Sequence, residues 1–350
     1  MAFGVYVHVP FCARRCDYCA FAAWDDRHDL TGPYLAALRR QASAEAVGCP
    51  PVTSVFVGGG TPSMVPAEGL LAVLAELPLA DGAEVTVECN PDTVTPELVE
   101  TYVAGGVNRL SFGVQSMVPR VLASLGREHD PANVRRCVEL AGSFGLDSFN
   151  LDVIYGAAGE SLEDWRHTLE EVLALDPPHV SAYGLTVEAG TPLADDPARH
   201  PDDDDQADKY ELADDLLTAA GMDWYEVSNW ARPGHECRHN QLYWSQGEYL
   251  ALGCAAHGHR DGRRYWNLRT PERYIEAVEA GRSVEAADER LDDEARRIEG
   301  LQLALRMRHG VPDEALPMED LEGLVEVTDD RAVLTRRGRL LANEVALRLR

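Results

Sequence analysis

The chain has 350 residues, of which 45% are hydrophobic and 26% charged, so it can bury the core of an ordinary globular protein. Its 32 basic and 59 acidic residues give a formal net charge of −27, which excludes nucleic acid as an expected partner because phosphates would be repelled over most of the surface. The only lysine, Lys209, follows the acidic run 202–205. No Walker A motif is therefore present, and we expect Lys209 to be solvated rather than to form a Schiff base.

The first residues contain neither a basic segment nor a small-residue cleavage site, and no apolar run reaches the roughly 18 residues of a membrane span. These features predict a cytoplasmic chain. Eight cysteines in a chain without an export signal predict free thiols rather than a disulfide framework.

Short β-rich runs alternate with helical patterns over the first two-thirds of the chain. Strands are predicted over 5–9, 54–57, 84–88, 109–112, 148–154, 180–187 and 224–228. Helices are predicted over 34–46, 67–77, 96–104, 132–144, 162–175 and 206–220. This alternation is typical of βα units around a parallel sheet, in a full or partial barrel.

The pattern changes after about residue 260. Two helices, a hairpin and a last helix are predicted over 271–280, 293–308, 324–334 and 339–349. This order is typical of a small α+β domain of winged-helix type, which we interpret as a structural cap or partner surface because the acidity argues against DNA. We therefore divide the chain into a barrel over 1–235, a connecting segment over 236–270 and a C-terminal domain over 271–350.

Three cysteines lie within eight residues, directly after the first predicted strand, in Cys12-Ala-Arg-Arg-Cys16-Asp-Tyr-Cys19. Sites in parallel α/β proteins are built at this end of the strands. Clustered thiolates select zinc, copper(I) or an iron–sulfur cluster. Zinc would need a fourth ligand such as His8 or Asp17, whereas a [4Fe–4S] cluster with one open iron fits three cysteines better. An iron–sulfur electron carrier is a further alternative.

The cysteine spacing, with the aromatic Tyr18 before the last cysteine, resembles that of the radical S-adenosylmethionine (SAM) enzymes. The resemblance implies that Cys12, Cys16 and Cys19 hold a [4Fe–4S] cluster whose fourth iron is chelated by the SAM amino and carboxylate groups. One-electron reduction would then cleave SAM to methionine and a 5′-deoxyadenosyl radical. The protein would position these groups and exclude water and oxygen.

A glycine-rich turn and several polar strand ends follow the cysteines. Gly58-Gly-Gly-Thr-Pro62 comes after the second strand, where we expect exposed amides to contact a ligand. A polar side chain at the end of a barrel strand is costly unless it is paired or used. Such residues are Glu88, Gln115 and Asp152, and Arg127 lies in a loop near them.

These segments, together with Tyr6-Val-His-Val-Pro-Phe-Cys12 and the segment 183–193, resemble the oxygen-independent coproporphyrinogen III dehydrogenases and their relatives, from Tyr6 to about Trp266. The resemblance implies a partial (β/α)6-type radical SAM barrel. The residues that it implies in SAM binding are Tyr6, Tyr18, Gly59, Gly60, Thr61, Glu88, Gln115, Arg127 and Asp152.

Two departures separate the chain from the dehydrogenases. Phe21 occupies the position of their fourth cysteine, and their N-terminal extension has no counterpart before the first strand. In addition, the segment from His239 to Trp244 resembles the His-Asn-x-x-Tyr-Trp motif of HemW-type heme chaperones, in which an imidazole and aromatic faces suit a porphyrin. The resemblance implies that His239, Asn240, Tyr243 and Trp244 bind heme, and it assigns no catalytic residue. His257, His259 and Cys237 are other possible heme ligands.

We therefore expect a radical-SAM-type heme chaperone that binds heme and a SAM-ligated [4Fe–4S] cluster and transfers heme to heme proteins such as respiratory enzymes. The alternative is an oxygen-independent coproporphyrinogen III dehydrogenase, which performs radical oxidative decarboxylation in heme biosynthesis, so enzymatic activity stays open. The expected partners are heme, heme-accepting proteins including membrane respiratory enzymes, an electron donor for the cluster and a second copy of the chain. Delivery to membrane enzymes would place the chain at the inner face of the membrane.

Overall fold

The computed structural model describes residues 2–146 and 148–350. The strands are β1 (Phe3–Val9), β2 (Val52–Gly59), β3 (Leu79–Cys89), β4 (Arg109–Gln115), β5 (Phe149–Tyr155), β6 (His179–Gly184), β7 (Asp223–Glu226), β8 (Asn229–Ala231), β9 (Glu248–Leu252), β10 (His257–Arg260), β11 (Arg263–Asn267), β12 (Glu285–Arg290), β13 (Val311–Pro312), β14 (Val325–Thr328) and β15 (Arg331–Leu334). The helices are α1 (Thr31–Glu45), α2 (Ala67–Leu74), α3 (Pro96–Ala104), α4 (Pro119–Ser124), α5 (Pro131–Ser143), α6 (Leu162–Leu173), α7 (Asp203–Ala219), α8 (Arg238–Trp244), α9 (Pro271–Glu279), α10 (Asp293–Leu305), α11 (Arg336–Leu340) and α12 (Ala342–Ala346).

One large sheet runs in the order β12-β11-β10-β9-β1-β2-β3-β4-β5-β6-β8-β7. Strands β1 to β6 pair in parallel in chain order, and β9 pairs in parallel with the free side of β1. Antiparallel strands extend both edges, and the two edges do not join. The predicted partial α/β barrel is confirmed.

The main core lies between this sheet and its helices. Val5, Val7 and Val9 are fully buried on one face of β1 and His8 is 3% exposed on the other, as expected for a parallel strand that is covered on both faces. The ring of Tyr34 in α1 packs edge-on against Phe11, with ring centroids 5.4 Å apart. No helix in the described part of the chain is long and apolar enough to cross a bilayer.

The segment 236–270 contributes β9, β10 and β11 to the large sheet, and Tyr274 of α9 is part of the main core. The domain boundaries at 235 and 270 stay a prediction, although main-chain pairing crosses both of them. A second hydrophobic cluster after residue 300 packs around a small sheet in the order β13-β15-β14. The predicted hairpin is confirmed, with Asp329 and Asp330 at φ 49° and 60° in its turn.

Lys209 is fully buried, so the expectation that it is solvated is wrong. Its Nζ donates to the Glu160 carbonyl oxygen at 2.8 Å and to Asp205 Oδ2, one helical turn earlier in α7, at 2.6 Å. Glu160 Oε2 lies 3.3 Å away. Because a buried ammonium needs such partners, Lys209 is a structural ion-pair residue that joins α7 to the start of α6.

The C-terminal segment is held on the barrel by a buried carboxylate. Asp214 in α7 accepts hydrogen bonds from both terminal nitrogens of Arg339 at 2.9 and 2.7 Å, from Arg336 Nε at 2.7 Å and from Trp230 Nε1 at 2.9 Å. Burial alone would raise the pKa of Asp214, but Arg339, Trp230 and Arg336 together outweigh it and the pKa is lowered. The stabilisation is therefore complete at neutral pH and is lost as the pH falls through this lowered pKa.

Replacing Asp214 with Ala should lower the free energy of unfolding by about 3–5 kcal/mol, because Arg339 would be left as an uncompensated buried charge. Chemical denaturation measures the change. Asp215→Ala is the matched control, since Asp215 pairs with Arg336 at 2.6 Å but its side chain is 61% exposed. Equal effects of the two substitutions would contradict the role of Asp214.

Candidate functional site

Two connected cavities open where the parallel strands end. The outer cavity, about 810 Å³, is lined by the cysteine segment and the last residues of β3 to β6. The inner cavity, about 560 Å³, lies further back along the same strands. The residues that line both are Ala20, Phe21, Gly59, Glu88, Ser111, Asp152 and Tyr183.

The cysteines project from a closed loop over residues 10–24. Cys12 N donates to the Trp24 carbonyl oxygen at 3.0 Å, and Trp24 N donates to the Pro10 carbonyl oxygen at 2.8 Å. This closure presents Cys12, Cys16 and Cys19 to the outer cavity, so the structure brings the three predicted ligands to one wall.

The thiols meet hydrogen-bond donors. Thr61 Oγ1 lies 3.6 Å from Cys12 Sγ, and Arg127 Nη1 lies 3.7 Å from Cys16 Sγ. Burial raises the pKa of Cys12 to about 11 and raises that of Cys19, so these thiols stay protonated until a cationic group stabilises the thiolates. No three His, Cys, Asp or Glu side chains in residues 2–146 and 148–350 converge as a site for a single metal ion.

Asp17, between two of the cysteines, fastens the loop to distant segments. Its amide donates to the Leu125 carbonyl oxygen at 3.3 Å, and its carbonyl oxygen accepts from Leu193 N at 3.0 Å. Its carboxylate pairs with Arg199 at 2.8 Å. The sequence identified Asp17 only as a possible zinc ligand and Arg199 not at all, because no local pattern reports a contact across 182 residues.

The glycine-rich turn does not offer the exposed amides that we expected. Its N–H groups are occupied as follows: Gly59 N donates to Glu88 Oε2 at 3.3 Å, Gly60 N to the Val9 carbonyl oxygen at 2.7 Å and Thr61 N to the Phe11 carbonyl oxygen at 2.7 Å. This turn therefore acts by close backbone packing on the cysteine loop, and the ligand-facing group beside it is the Glu88 carboxyl.

Both glycines are required by that packing. Gly59 has φ +110°, and a β-carbon there would lie 2.5 Å from the His8 ring. A β-carbon on Gly60 would lie 2.6 Å from the Phe11 carbonyl oxygen. Side chains at these positions would move the cysteine loop or His8 rather than only obstruct a ligand.

Gln115 ends β4 in a strained conformation. Its φ is +60° and the pairing with β5 shifts between Gly113 and Gln115, which is a bulge that turns the side chain toward the outer cavity. Arg127 Nη2 donates to the Gly113 carbonyl oxygen at 2.9 Å, so the same bulge fixes the guanidinium beside Cys16. Tyr18 also lines this cavity, and burial raises its pKa.

Two carboxyl groups lie where the cavities meet. Burial, together with the nearby Asp152, raises the pKa of Glu88 to about 8. Burial also raises the pKa of Asp152, although Ser111 Oγ and Asn150 Nδ2 donate to its two oxygens at 2.8 and 2.7 Å. Burial therefore favours the protonated form of Glu88, and a bound cation would favour the carboxylate.

Tyr6 lines the inner cavity and not the outer one, unlike the other residues predicted to bind SAM. Its hydroxyl lies 3.1 Å from His8 Nδ1, and His8 Nε2 lies 2.9 Å from the Ala22 carbonyl oxygen. Burial lowers the pKa of His8 to about 4, so the ring is neutral at pH 7. This chain of contacts joins the inner cavity to the cysteine loop.

The four residues of α8 that were predicted to bind heme do not share one surface. Asn240 and Tyr243 line the inner cavity. His239 is fully buried between α8 and the sheet, and the Trp244 ring packs against Arg306, whose Cζ lies 4.8 Å from the ring centroid. The structure therefore brings Asn240 and Tyr243, but not His239 and Trp244, to the cavity.

The inner cavity has a charged residue that the sequence analysis missed. Arg109 is 2% exposed and donates to Ser148 Oγ at 2.7 Å and to the His235 carbonyl oxygen at 3.2 Å. Within the described residues it has no carboxylate within ion-pair distance. Its only sequence signal is a charge at the start of an apolar strand.

Three cysteines on the loop after β1, a glycine turn packed on that loop and an open parallel barrel define a radical SAM protein, and residues 6–172 match the Radical SAM superfamily. The chain is 42% identical to the heme chaperone HemW of Mycobacterium tuberculosis (strain ATCC 25618 / H37Rv), over 98% of this chain and 93% of that protein. It is 36% identical to heme chaperone HemW of Escherichia coli (strain K12), over 98% and 96%. The chain belongs to the HemW family of radical SAM proteins.

The fold is also that of a solved structure. Coproporphyrinogen III oxidase (HemN) from Escherichia coli, described as a radical SAM enzyme, superimposes with a TM-score of 0.86 at 22% identity, over 99% of this chain and 89% of that one. At this identity the match concerns the fold alone.

The raised pKa of Glu88 predicts a pH-dependent cost in the protein without cofactor. Between the usual value of 4.5 and about 8 the folded state keeps a proton that the unfolded state loses, so the Glu88 contribution to stability falls as the pH rises through this window. Glu88→Gln removes this dependence. The stability of this variant relative to wild type should therefore increase as the pH rises from 4.5 to about 8. Thermal unfolding across the window measures it.

Glu139→Gln, at an exposed position of α5, serves as the control. Its difference in stability from wild type should stay constant across the same pH range. A Glu88→Gln difference that is equally constant with pH would contradict the raised pKa of Glu88.

Proposed function

We propose that this chain is a heme chaperone that holds a [4Fe–4S] cluster and SAM, binds heme and transfers it to heme proteins. The observation that carries the proposal is the likeness to curated heme chaperones over nearly the whole of both chains. The connected cavities support it, because they offer a cofactor site and a neighbouring ligand site with a common wall.

The outer cavity suits an iron–sulfur cluster. Three free thiols on one wall supply soft ligands for three irons and leave the fourth open. The donors on Thr61 and Arg127 face the sulfur atoms of Cys12 and Cys16, where thiolate charge would develop. When bound, such a cluster supplies one-electron reduction of SAM.

The remaining residues of this wall suit SAM. Glu88 and Asp152 present acceptors for an ammonium group and for hydroxyl groups, and Arg127 presents a donor for a carboxylate. Gln115 and Tyr18 add polar groups on the same cavity, whereas Gly59, Gly60 and Thr61 keep the cysteine loop in place. Tyr6 would act from the inner cavity through His8.

Phe21 favours a chaperone over porphyrinogen decarboxylation. It stands where the dehydrogenases have a fourth cysteine, and its side chain is 63% exposed on the rim that the two cavities share. An exposed aromatic ring at that position supplies an apolar contact and no metal ligand. The electron donor, the second copy of the chain and the location at the inner face of the membrane stay predictions.

Replacing Cys12, Cys16 or Cys19 with Ala should abolish cluster incorporation, because each supplies one iron ligand. Iron and acid-labile sulfide per chain after anaerobic reconstitution give the measurement. Cys49→Ala is the control, since Cys49 is a half-buried free thiol outside both cavities. Full iron retention in any of the three variants would remove that residue from the ligand set.

Heme delivery is tested by loading the anaerobic protein with hemin and mixing it with an apo-heme protein. We expect saturation near one heme per chain, followed by transfer that is faster than from free hemin. Formation of protoporphyrinogen from coproporphyrinogen by the reduced protein with SAM would instead identify a decarboxylase.

A further inference from the structure

His239, the histidine of the motif on α8, is enclosed on every side. It is 0% exposed, and its Nδ1 lies 3.0 Å from Ser54 Oγ. Its ring stacks on Phe56 with centroids 5.7 Å apart and meets Tyr243 edge-on at 4.6 Å. A β-carbon on Gly4 of β1 would lie 3.0 Å from its Cε1. A macrocycle could reach this ring only if α8 left the sheet, so His239 is a positioning residue that holds α8 on β1 and β2.

Among the described residues, one exposed histidine lines a cavity. Of the histidines in the described residues, five are exposed: His28, His167, His200, His257 and His309. Among these five, His257 lines the inner cavity. It begins β10, its ring stacks on Trp266 with centroids 5.8 Å apart and 26° between the planes, and neither of its nitrogens has a hydrogen-bond partner among the described residues. Burial lowers its pKa, which favours the neutral, ligating form at pH 7.

Aromatic faces surround the same opening. Phe21, from the cysteine loop, and Tyr183, at the end of β6, line both cavities and are 63% and 39% exposed. Isolated exposed apolar side chains are common, but these two line the same concave opening. Such rims are typical of sites for flat, largely apolar ligands.

An unpaired cation completes the opening. Arg269 is exposed and lines the inner cavity, and within residues 2–146 and 148–350 it forms no ion pair. In a chain with a net charge of −27, a guanidinium without a carboxylate is available to a carboxylate of a ligand. Heme carries such carboxylates as its propionates.

We propose that heme binds across the mouth of the inner cavity, with its iron on His257, its macrocycle against Phe21 and Tyr183 and a propionate on Arg269. The inference rests on the proposed function and names the ligand of that function. The imidazole nitrogen donates its lone pair to ferric iron in place of a solvent ligand, and no electron is transferred. Asn240 and Tyr243 then contribute to the wall of the same cavity, and His239 acts through α8 rather than on the iron.

The test is an anaerobic hemin titration of the full chain, followed by difference spectra in the Soret region. Wild type should saturate near one heme per chain. His257→Ala should bind at least about tenfold more weakly and lose the Soret position of an imidazole-ligated heme, and added imidazole should restore that position. His309→Ala, which removes an exposed histidine outside the cavities, should match wild type.

The His239→Ala variant distinguishes the role of His239 from that of His257. We expect it to lower the thermal unfolding temperature, because it leaves Ser54 and Phe56 without their partner, yet to keep the imidazole-ligated spectrum. An unchanged spectrum and affinity in His257→Ala, or loss of the ligated spectrum in a folded His239→Ala protein, would overturn the assignment of His257 alone. Failure of wild type to bind hemin saturably would instead overturn the proposed function and this inference with it.

A separate substitution tests the contact between Arg269 and a heme propionate. Arg269→Gln should weaken hemin binding about fivefold to tenfold, as for loss of one charge-assisted hydrogen bond, and should not weaken binding of the dimethyl ester of hemin. Equal weakening toward both compounds would contradict a contact between Arg269 and a propionate.

Discussion

The contact between the turn after β2 and the loop after β1 determines the geometry of everything at the barrel mouth. Gly60 and Thr61 donate their amides to the backbone of the segment that leads into Cys12, and Gly60 leaves no room for a side chain between the two loops. This contact sets the position of the first cysteine relative to Thr61 and holds His8 against Gly59. The positions of Cys16 and Cys19 depend on the same contact, because the loop that contains them closes at Trp24 and is held to distant segments at Asp17.

A second constraint is electrostatic. The surface is strongly acidic, yet the carboxyl groups at the cavity junction sit in a medium that disfavours their charge, and His8 beside them is neutral for the same reason. The arginines that line the cavities are Arg14, Arg15 and Arg127 in the outer cavity and Arg109 and Arg269 in the inner one. Both cavities therefore combine fixed positive charge, which attracts an anion, with the shared acids Glu88 and Asp152, which can ionise for a bound cation.

Local patterns were sufficient for the parallel half of the fold. The strands from β1 to β6 have apolar runs bounded by turn residues, and the predicted bounds agree with them to within a few residues. Strands β9 to β12 were missed because they are short, with four to six residues each, and every residue of β12 is exposed. The single predicted last helix is two short ones, since Leu341 has φ −111° between them. Neither failure could be corrected without knowing which distant segment each strand or helix packs against.

The same limit applied to the site. The cysteines, the glycine turn and the polar strand ends were found because their spacing is local, whereas Asp17, Arg199 and Arg109 act through contacts that only the folded chain shows. The residues of the His239–Trp244 motif lie on one helix, α8, but the sequence could not tell that its histidine faces the sheet. Acidic neighbours made Lys209 look solvated, although the same acids, Asp205 and Glu160, are what make its burial tolerable.

The burial of Lys209 determines which chemical reagents can modify or cross-link this chain. It is the only lysine, so the described surface presents positive charge as guanidinium and offers no ε-amine to reagents that acylate or cross-link amines, nor to lysine acetylation. In a short-lived complex with a partner protein, amine-directed cross-linkers would therefore find no exposed lysine on this chain. The exposed carboxylates among the 59 acidic residues are the abundant handles instead, and activation of carboxyl groups toward a partner's amines is the chemistry that would capture the proposed delivery complex.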